Sequence, residues 1–142
     1  MPSVEIEIEL ANGSDSMLAT ALRDAIAGTL ERYPRRIASF RALRDRVLVR
    51  AEDTGEAVTL AFDHGKLQIS DGEAGAAQIR IIGDRDTILA LTRLRLRYGL
   101  PDLTSEAGRR IVTQQLGGQL TIRGLLLRLP QIRHLLQVVA GG

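Results

Sequence analysis

The chain lacks cysteine and tryptophan, and Lys66 is its only lysine. Without cysteine there are no disulfides, thiol nucleophiles, thiolate metal sites or iron–sulfur clusters. No apolar run approaches the roughly 20 residues that span a bilayer, since the longest candidate, residues 125–139, is interrupted by arginine, proline and histidine. The N-terminus also lacks the basic and apolar segments of a secretory signal. We therefore expect a cytoplasmic protein.

Aromatic residues make up only 3% of the chain, which bears on nucleic-acid binding. Arginines cluster at residues 35–46 and 93–97, where they could meet phosphates or anionic lipid headgroups. Proteins that bind single strands also need aromatic surfaces for base stacking, and no helix-turn-helix or RNA-recognition pattern is present. We interpret the clusters as solvated faces and expect no nucleic-acid partner.

The remaining composition is that of a globular protein. A chain of 142 residues with 44% hydrophobic and 25% charged residues fits one domain, with no repeat, low-complexity tract or linker. Such a domain buries roughly 68–70% of the surface that its unfolded chain exposes, which is enough for a real core. We expect a single domain over residues 1–142.

Apolar periodicity predicts alternating blocks of strands and helices. Residues 4–10 alternate apolar and acidic side chains, which is typical of a half-exposed strand. A helix ended by Pro34 follows, because apolar residues recur at every fourth position: Leu18, Leu22, Ile26 and Leu30. Asp84 is a candidate N-cap for a later helix, and further helices are predicted over 104–116 and from Pro130.

Between these helices lies a series of short strands at 46–52, 58–62, 67–69 and 78–83, with a last strand at 119–123. The short connections predict antiparallel neighbours. The expected fold class is α+β, an antiparallel meander sheet of about five strands with helices covering one face.

Three segments carry a resemblance to a known family: VLVRAEDTGEAVTLAFDHGKLQISDG, AQIRIIGDRDTILAL and GGQLTIRGLLLRLPQIRHLL. The last contains a G-x-L-x-I-x-G strand followed by a leucine-rich helix. Together, over residues 47–139, they resemble the sterol carrier protein 2-like family of non-specific lipid-transfer domains. The acidic strand at 3–10 is atypical, because the family opens with a helix. The segment 95–113 is also longer than the family's connection there.

The resemblance implies an apolar tunnel between the sheet and the helices, holding a sterol, a fatty acyl chain or another lipid without any cofactor. The leucine run after the last strand either fills the core or forms the wall of this tunnel. Positions that alternate along strands or share a helix stripe are expected to line it: Phe62, Leu89, Leu116, Ile122, Leu127, Leu129 and Leu136. The resemblance also allows an alternative, a protein-interaction or oligomerisation module or an accessory protein of a lipid or quinone pathway, with no exchangeable ligand.

Catalytic signals are weak. His64 lies in a tight turn and His134 on the polar side of the last helix, with no Ser–His–Asp or H-x-x-x-H spacing. Asp84 and Asp86 precede an apolar helical run and suit capping better than acid–base chemistry. We expect no enzyme activity, no catalytic residue and no metal site.

The partners expected from the sequence are a hydrophobic small molecule or lipid and, transiently, a membrane surface. A homodimer is also predicted, because the strand at 3–10 either extends the protein's own sheet or pairs with a second copy.

Overall fold

A computed structural model describes residues 7–11, 16–94, 106, 110, 113–114, 117–118, 120–124 and 127–141. The strands are β1 (Glu7–Leu10), β2 (Arg46–Ala51), β3 (Ala57–Phe62), β4 (Lys66–Asp71), β5 (Ile79–Gly83) and β6 (Leu120–Arg123). The helices with both ends described are α1 (Met17–Arg32), α2 (Ile37–Ala42), α3 (Arg85–Leu91) and α4 (Leu129–Val139), and a short 3-10 helix, Pro34–Arg36, joins α1 to α2. Residues 106, 110, 113 and 114 are also helical, and most of the helix predicted over 104–116 lies outside the described residues.

The six strands form one sheet in the order β1-β4-β3-β2-β5-β6. The pairs β2–β3, β3–β4 and β5–β6 are antiparallel, whereas β1–β4 and β2–β5 are parallel. The α+β class is confirmed, and the sheet differs from the predicted antiparallel meander of about five strands in having six strands and two parallel pairs. The N-terminal strand extends the protein's own sheet at the β4 side, from Glu7 onward.

The parallel pairing of β5 arises because residues 72–78 carry the chain across the sheet instead of turning back beside β4. The Thr59 hydroxyl donates to the Gly72 carbonyl at 2.7 Å and accepts from the Ala74 amide at 2.9 Å. The Arg46 guanidinium lies against the Cα of Gly75. The segment therefore passes over β3 and β2 and places β5 on the far side of β2.

The core lies between one face of the sheet and the helices. The predicted apolar stripe of α1 is confirmed, because Leu18, Leu22, Ile26 and Leu30 are at most 2% exposed. Alternate residues of the strands pack against this stripe, as the period of two requires: Val47, Val49, Val58, Leu60, Leu67, Ile69, Ile79 and Ile81. The opposite face, called the outer face below, carries mostly polar side chains.

The β2–β3 turn caps two helices at once. One carboxylate oxygen of Glu56 accepts hydrogen bonds from the Leu18 amide and the Ser16 hydroxyl, both at 3.2 Å, at the start of α1. A carboxylate oxygen of Asp53 accepts from the Arg85 amide at 2.9 Å, at the start of α3. Acidic groups at these positions satisfy free amides and complement the helix dipole.

This arrangement corrects the expected role of Asp84. Asp84 occupies the N-cap position of α3 with extended backbone angles, but its side chain makes no capping hydrogen bond. Asp53, distant in sequence, supplies the carboxylate instead.

The Glu56 contacts predict a specific dependence of stability on pH. Desolvation raises the pKa of Glu56, but hydrogen bonds with Leu18, Thr54 and Ser16, together with the charge of Arg85, outweigh it and hold the pKa below its ordinary value of 4.5. A lowered folded-state pKa stabilises the protein above the unfolded value, and this contribution is lost as the pH falls through the folded value. We expect Glu56→Gln to cost about 0.5–2 kcal/mol at neutral pH, as for loss of a helix cap.

Denaturant unfolding at about pH 7 and about pH 3 measures this effect, and the gap between wild type and Glu56→Gln should shrink at the lower pH. Glu52→Gln is the matched control, because Glu52 is an exposed residue of the same turn and caps neither helix. If Glu56→Gln were equally destabilising at both pH values, this result would contradict the role of the charged Glu56 carboxylate as a cap of α1.

Candidate apolar ligand site

Half-buried apolar side chains border the core at both edges of the sheet, with Ile8 and Leu10 at the β1 edge and a further group at the β5–β6 edge. Four half-buried apolar residues there pack against the fully buried core: Leu89 and Ala90 of α3, and Leu120 and Ile122 of β6. We call these four residues the β6 patch. Ile122 lies opposite the buried Ile81 of β5, so the patch continues directly into the interior.

Glycines fix both ends of β6. A Cβ at Gly118 would collide with the Thr87 side chain of α3, so the backbone there runs directly against the helix. Gly124 has a φ of +90°, and a Cβ would come within 2.5 Å of the Gln78 carbonyl oxygen at the start of β5. These two positions are the glycines of the G-x-L-x-I-x-G pattern, which therefore reflects close backbone approach at an edge strand.

Gly124→Ala should destabilise the protein through both backbone strain and a collision with a carbonyl oxygen. Gly55→Ala is the control, because Gly55 has a φ of +75° but nothing within 4 Å of the place where a Cβ would stand. The strain alone costs on the order of 1–3 kcal/mol. Urea unfolding of the two variants should show the larger loss for Gly124→Ala, and equal losses would mean that the Gln78 contact is unimportant.

An ion pair between the buried Asp45 and the half-buried Arg128 fixes the connection between β6 and α4. Asp45 is 2% exposed, and its carboxylate accepts two hydrogen bonds from Arg128, one from Nε at 2.7 Å and one from Nη2. The hydrogen bond to Asp45 is the main cause that raises the pKa of Arg128, against a smaller effect of desolvation. The bidentate geometry gives both strength and a fixed orientation.

Gln131, in the first turn of α4, completes this polar cluster. Its side-chain oxygen accepts from the backbone amides of Arg44 at 2.9 Å and Asp45 at 3.3 Å, and its side-chain nitrogen donates to the Ala42 carbonyl at 3.0 Å. Gln131 is 7% exposed, so these bonds satisfy a buried amide. Sequence reasoning treated Arg128 only as an interruption of an apolar run. The available signal was its isolation, since a lone arginine among leucines requires a polar partner.

The rest of α4 also makes polar contacts with the neighbouring helices. Nδ1 of His134 lies 3.1 Å from the Ser39 hydroxyl of α2. Nη1 of Arg36 donates to the Ala140 carbonyl at 2.5 Å, and its guanidinium stacks over the Tyr33 ring at 4.1 Å. Arg36 belongs to the cluster interpreted as a solvated face. The structure corrects that interpretation for this residue, which caps the C-terminus of α4.

The structure separates the residues predicted to line the tunnel. Leu89 and Ile122 lie on the β6 patch, and Leu129 is half-buried at the start of α4. Leu127 is 88% exposed. Leu116 lies outside the described residues.

The other two predicted lining residues, Phe62 and Leu136, are both 4% exposed in the core. The Phe62 ring meets the Phe40 ring edge to face, with centroids 6.0 Å apart. These contacts place Phe62 in a packed region at the β4 side, away from the β6 patch. A shared lining role for the seven residues remains a prediction.

Within the described part of the chain, no three histidine or acidic side chains are grouped so as to hold a metal ion. No helix among the same residues is long and apolar enough to cross a bilayer.

Comparison with solved structures shows that the chain has the sterol carrier protein 2-like fold. A structure described as "UbiJ-SCP2 Ubiquinone synthesis protein" is similar with a TM-score of 0.57 and 14% sequence identity, over 86% of this chain and 91% of that chain. The solution structure of a conserved hypothetical protein from Thermus thermophilus, described as possibly a sterol carrier protein, aligns with a TM-score of 0.43 and 20% identity, over 87% and 88% of the two chains. No family model and no curated protein sequence matches this chain. The first likeness confirms the resemblance at the level of the fold.

Proposed function

We propose that the protein binds a hydrophobic ligand, such as a sterol, a fatty acyl chain or another lipid, between the sheet and the helices, and does so without catalysis. The observation that carries this proposal is the β6 patch, an incompletely covered apolar surface continuous with the core of a sterol carrier protein 2-like fold. Ligand enters at the patch between α3 and β6. The glycine-bounded strand and the anchored α4 hold the surrounding walls in place.

The energetics of such a site favour carriage over permanent binding. Moving an acyl chain out of water gains about 0.8 kcal/mol for each CH₂ group. A bilayer offers nearly the same gain, so exchange between the protein and a membrane is close to neutral. Broad specificity and reversible transfer follow from this balance.

Exchange also requires transient contact with a membrane surface, and Leu127 is the proposed contact. It is 88% exposed just before α4, and the exposed Arg123 and Arg133 flank it in sequence. An apolar side chain among arginines suits the boundary between anionic headgroups and acyl chains. The protein acts in the cytoplasm under this proposal.

A second candidate function is an accessory or assembly role in a lipid or quinone pathway, with no exchangeable ligand. The similar solved structure is described as a ubiquinone synthesis protein. The close packing of Phe40 against Phe62 also favours a filled interior at the β4 side. The two candidates differ in whether the β6 patch admits a ligand.

Ile122→Trp distinguishes an open patch from a filled core. An indole at the patch should occupy the ligand's space, so the delipidated variant should keep wild-type stability and lose binding of a fluorescent fatty acid. Leu60→Trp is the control, because Leu60 is 1% exposed in the sheet and overpacking there costs about 1–3 kcal/mol. At this chain length each kcal/mol lowers the melting temperature by roughly 2–4 °C.

Both variants are compared with delipidated wild type, because bound ligand raises apparent stability. Native mass spectrometry and organic extraction of the freshly purified protein identify any lipid that copurifies. If wild type neither carries an extractable lipid nor binds the fatty acid, the carrier proposal fails and the accessory role is supported.

A further inference from the structure

The outer face of the sheet contains an open groove of about 610 Å³ on the side away from the helices. Its walls include Glu7 and Glu9 of β1, Arg44 and Arg46 at the start of β2, and Lys66 and Gln68 of β4. Acidic groups therefore occupy one rim and arginines the other. Three strand spacings, about 14 Å at 4.7–4.9 Å each, separate the rims.

The groove floor consists of two rows of side chains that cross the strands in the order β2, β3, β4, β1. Strand register aligns the first row as Arg46, Ala61, Gln68 and Glu9. The second row is Arg44, Asp63, Lys66 and Glu7. Arg44 and Asp63 lie opposite each other because the β2–β3 ladder continues past the strand ends, where the His64 amide donates to the Leu43 carbonyl at 2.9 Å.

The charges of these rows are self-complementary. Along the second row the signs alternate, positive, negative, positive, negative, and the first row is positive at one end and negative at the other. Consider two copies that face each other across a two-fold axis that runs parallel to the strands, midway between β3 and β4. This axis reverses the strand order, so each row of one copy lies opposite the same row of the other copy, read in the reverse direction. Arg44 then faces Glu7, Asp63 faces Lys66, and Arg46 faces Glu9. An in-plane axis perpendicular to the strands would instead oppose like charges.

Pairing of two copies through the β1 edge of the sheet is less favourable. An antiparallel β1–β1 contact centred on Ile8 would place Glu7 of one copy directly opposite Glu9 of the other, on the same face. Like charges directly opposite each other across strands are destabilising. The glutamates of β1 therefore disfavour edge pairing while they complete the charge pattern of the face.

We propose that the groove of the outer face, at the end of the sheet beyond the crossing of residues 72–78, is a self-association surface, where two copies of this chain pack groove against groove about a two-fold axis parallel to the strands. Isologous contacts of this kind require self-complementary surfaces, which the charge rows of the groove provide. The interface is charged and solvated, so association is weak, reversible and sensitive to salt. The helices and the β6 patch stay exposed in the dimer, and the proposal does not depend on ligand binding.

A charge swap tests the pairing. Sedimentation velocity of wild type at low ionic strength should show a concentration-dependent dimer that dissociates at about 0.5 M salt, where the Debye length falls to roughly 4 Å. Glu9→Lys and Arg46→Glu, each alone, should weaken dimerisation at least tenfold, because each substitution creates two like-charge contacts in a symmetric dimer. The double variant should restore dimerisation, since each lysine again faces a glutamate.

Glu31→Lys and Arg133→Glu are the matched controls, because both residues are exposed on helices at the opposite side of the sheet. They should dimerise like wild type. Arg46 also packs against Gly75, so far-UV circular dichroism must show that each variant is folded. If Arg46→Glu unfolds the protein, the pair Glu7→Lys and Arg44→Glu provides the same test in the second row.

Three outcomes would overturn the proposal. Wild type could remain monomeric at low salt up to about 0.5 mM, which would place any dissociation constant in the millimolar range. The double variant could stay as weak as the single variants. A dimer could persist in both single variants, which would show that another surface, such as the β1 edge, makes the contact.

Discussion

The ion pair between the buried Asp45 and the half-buried Arg128 is the interaction on which the helical cover of this sheet depends. A carboxylate in the interior requires a charged and hydrogen-bonded partner, and only one orientation of Arg128 supplies both bonds. That orientation brings the end of the leucine-rich connection to the corner between α2 and β2. Gln131 then joins α4 to the same corner. The first turn of α4 is therefore positioned by polar contacts, and its apolar face follows onto the core.

Polar contacts at the other end of β2 position the remaining helices. Asp45 precedes the strand, whereas Asp53 and Glu56 follow it in the turn that caps α3 and α1. The middle of β2 contributes apolar side chains to the core. The central strand thus determines where the helices begin, and the apolar stripes determine which face they bury. At the β5–β6 end, the apolar side chains of α3 and β6 that border the core are only half-buried.

Much of this fold is predictable from local pattern, because burial imposes a period of two on strands and 3.6 on helices. The stripe of α1 and the hairpins of β2, β3 and β4 follow from such patterns. The parallel pairing of β5 does not, since the connection over residues 72–78 is far shorter than a usual crossover. The effective crossover from β2 to β5 contains two whole strands, β3 and β4, and no local rule reveals that β5 returns to β2.

In the candidate site, too, local patterns predicted which strand face or helix a residue occupies, whereas contacts between distant segments were not predictable. Alternation placed Ile122 on the inward side of β6, and helical spacing placed Leu89 on α3, where both border the open patch. Sequence patterns did not predict the Asp45–Arg128 pair, because its partners lie 83 positions apart in the chain. The exposure of Leu127 was equally hidden, because a run of leucines does not indicate which member turns outward.

The charge chemistry of the outer face has a consequence for covalent modification. Lys66 is the only lysine in the chain, and its exposed side chain stands in the middle of the groove. Acetylation or any other acylation of a lysine side chain in this protein can therefore occur only there. It would remove the positive charge between Asp63 and Glu7 and leave the second row with Arg44 as its sole cation. One amine thus links acyl-transfer chemistry to the charge balance of the second row.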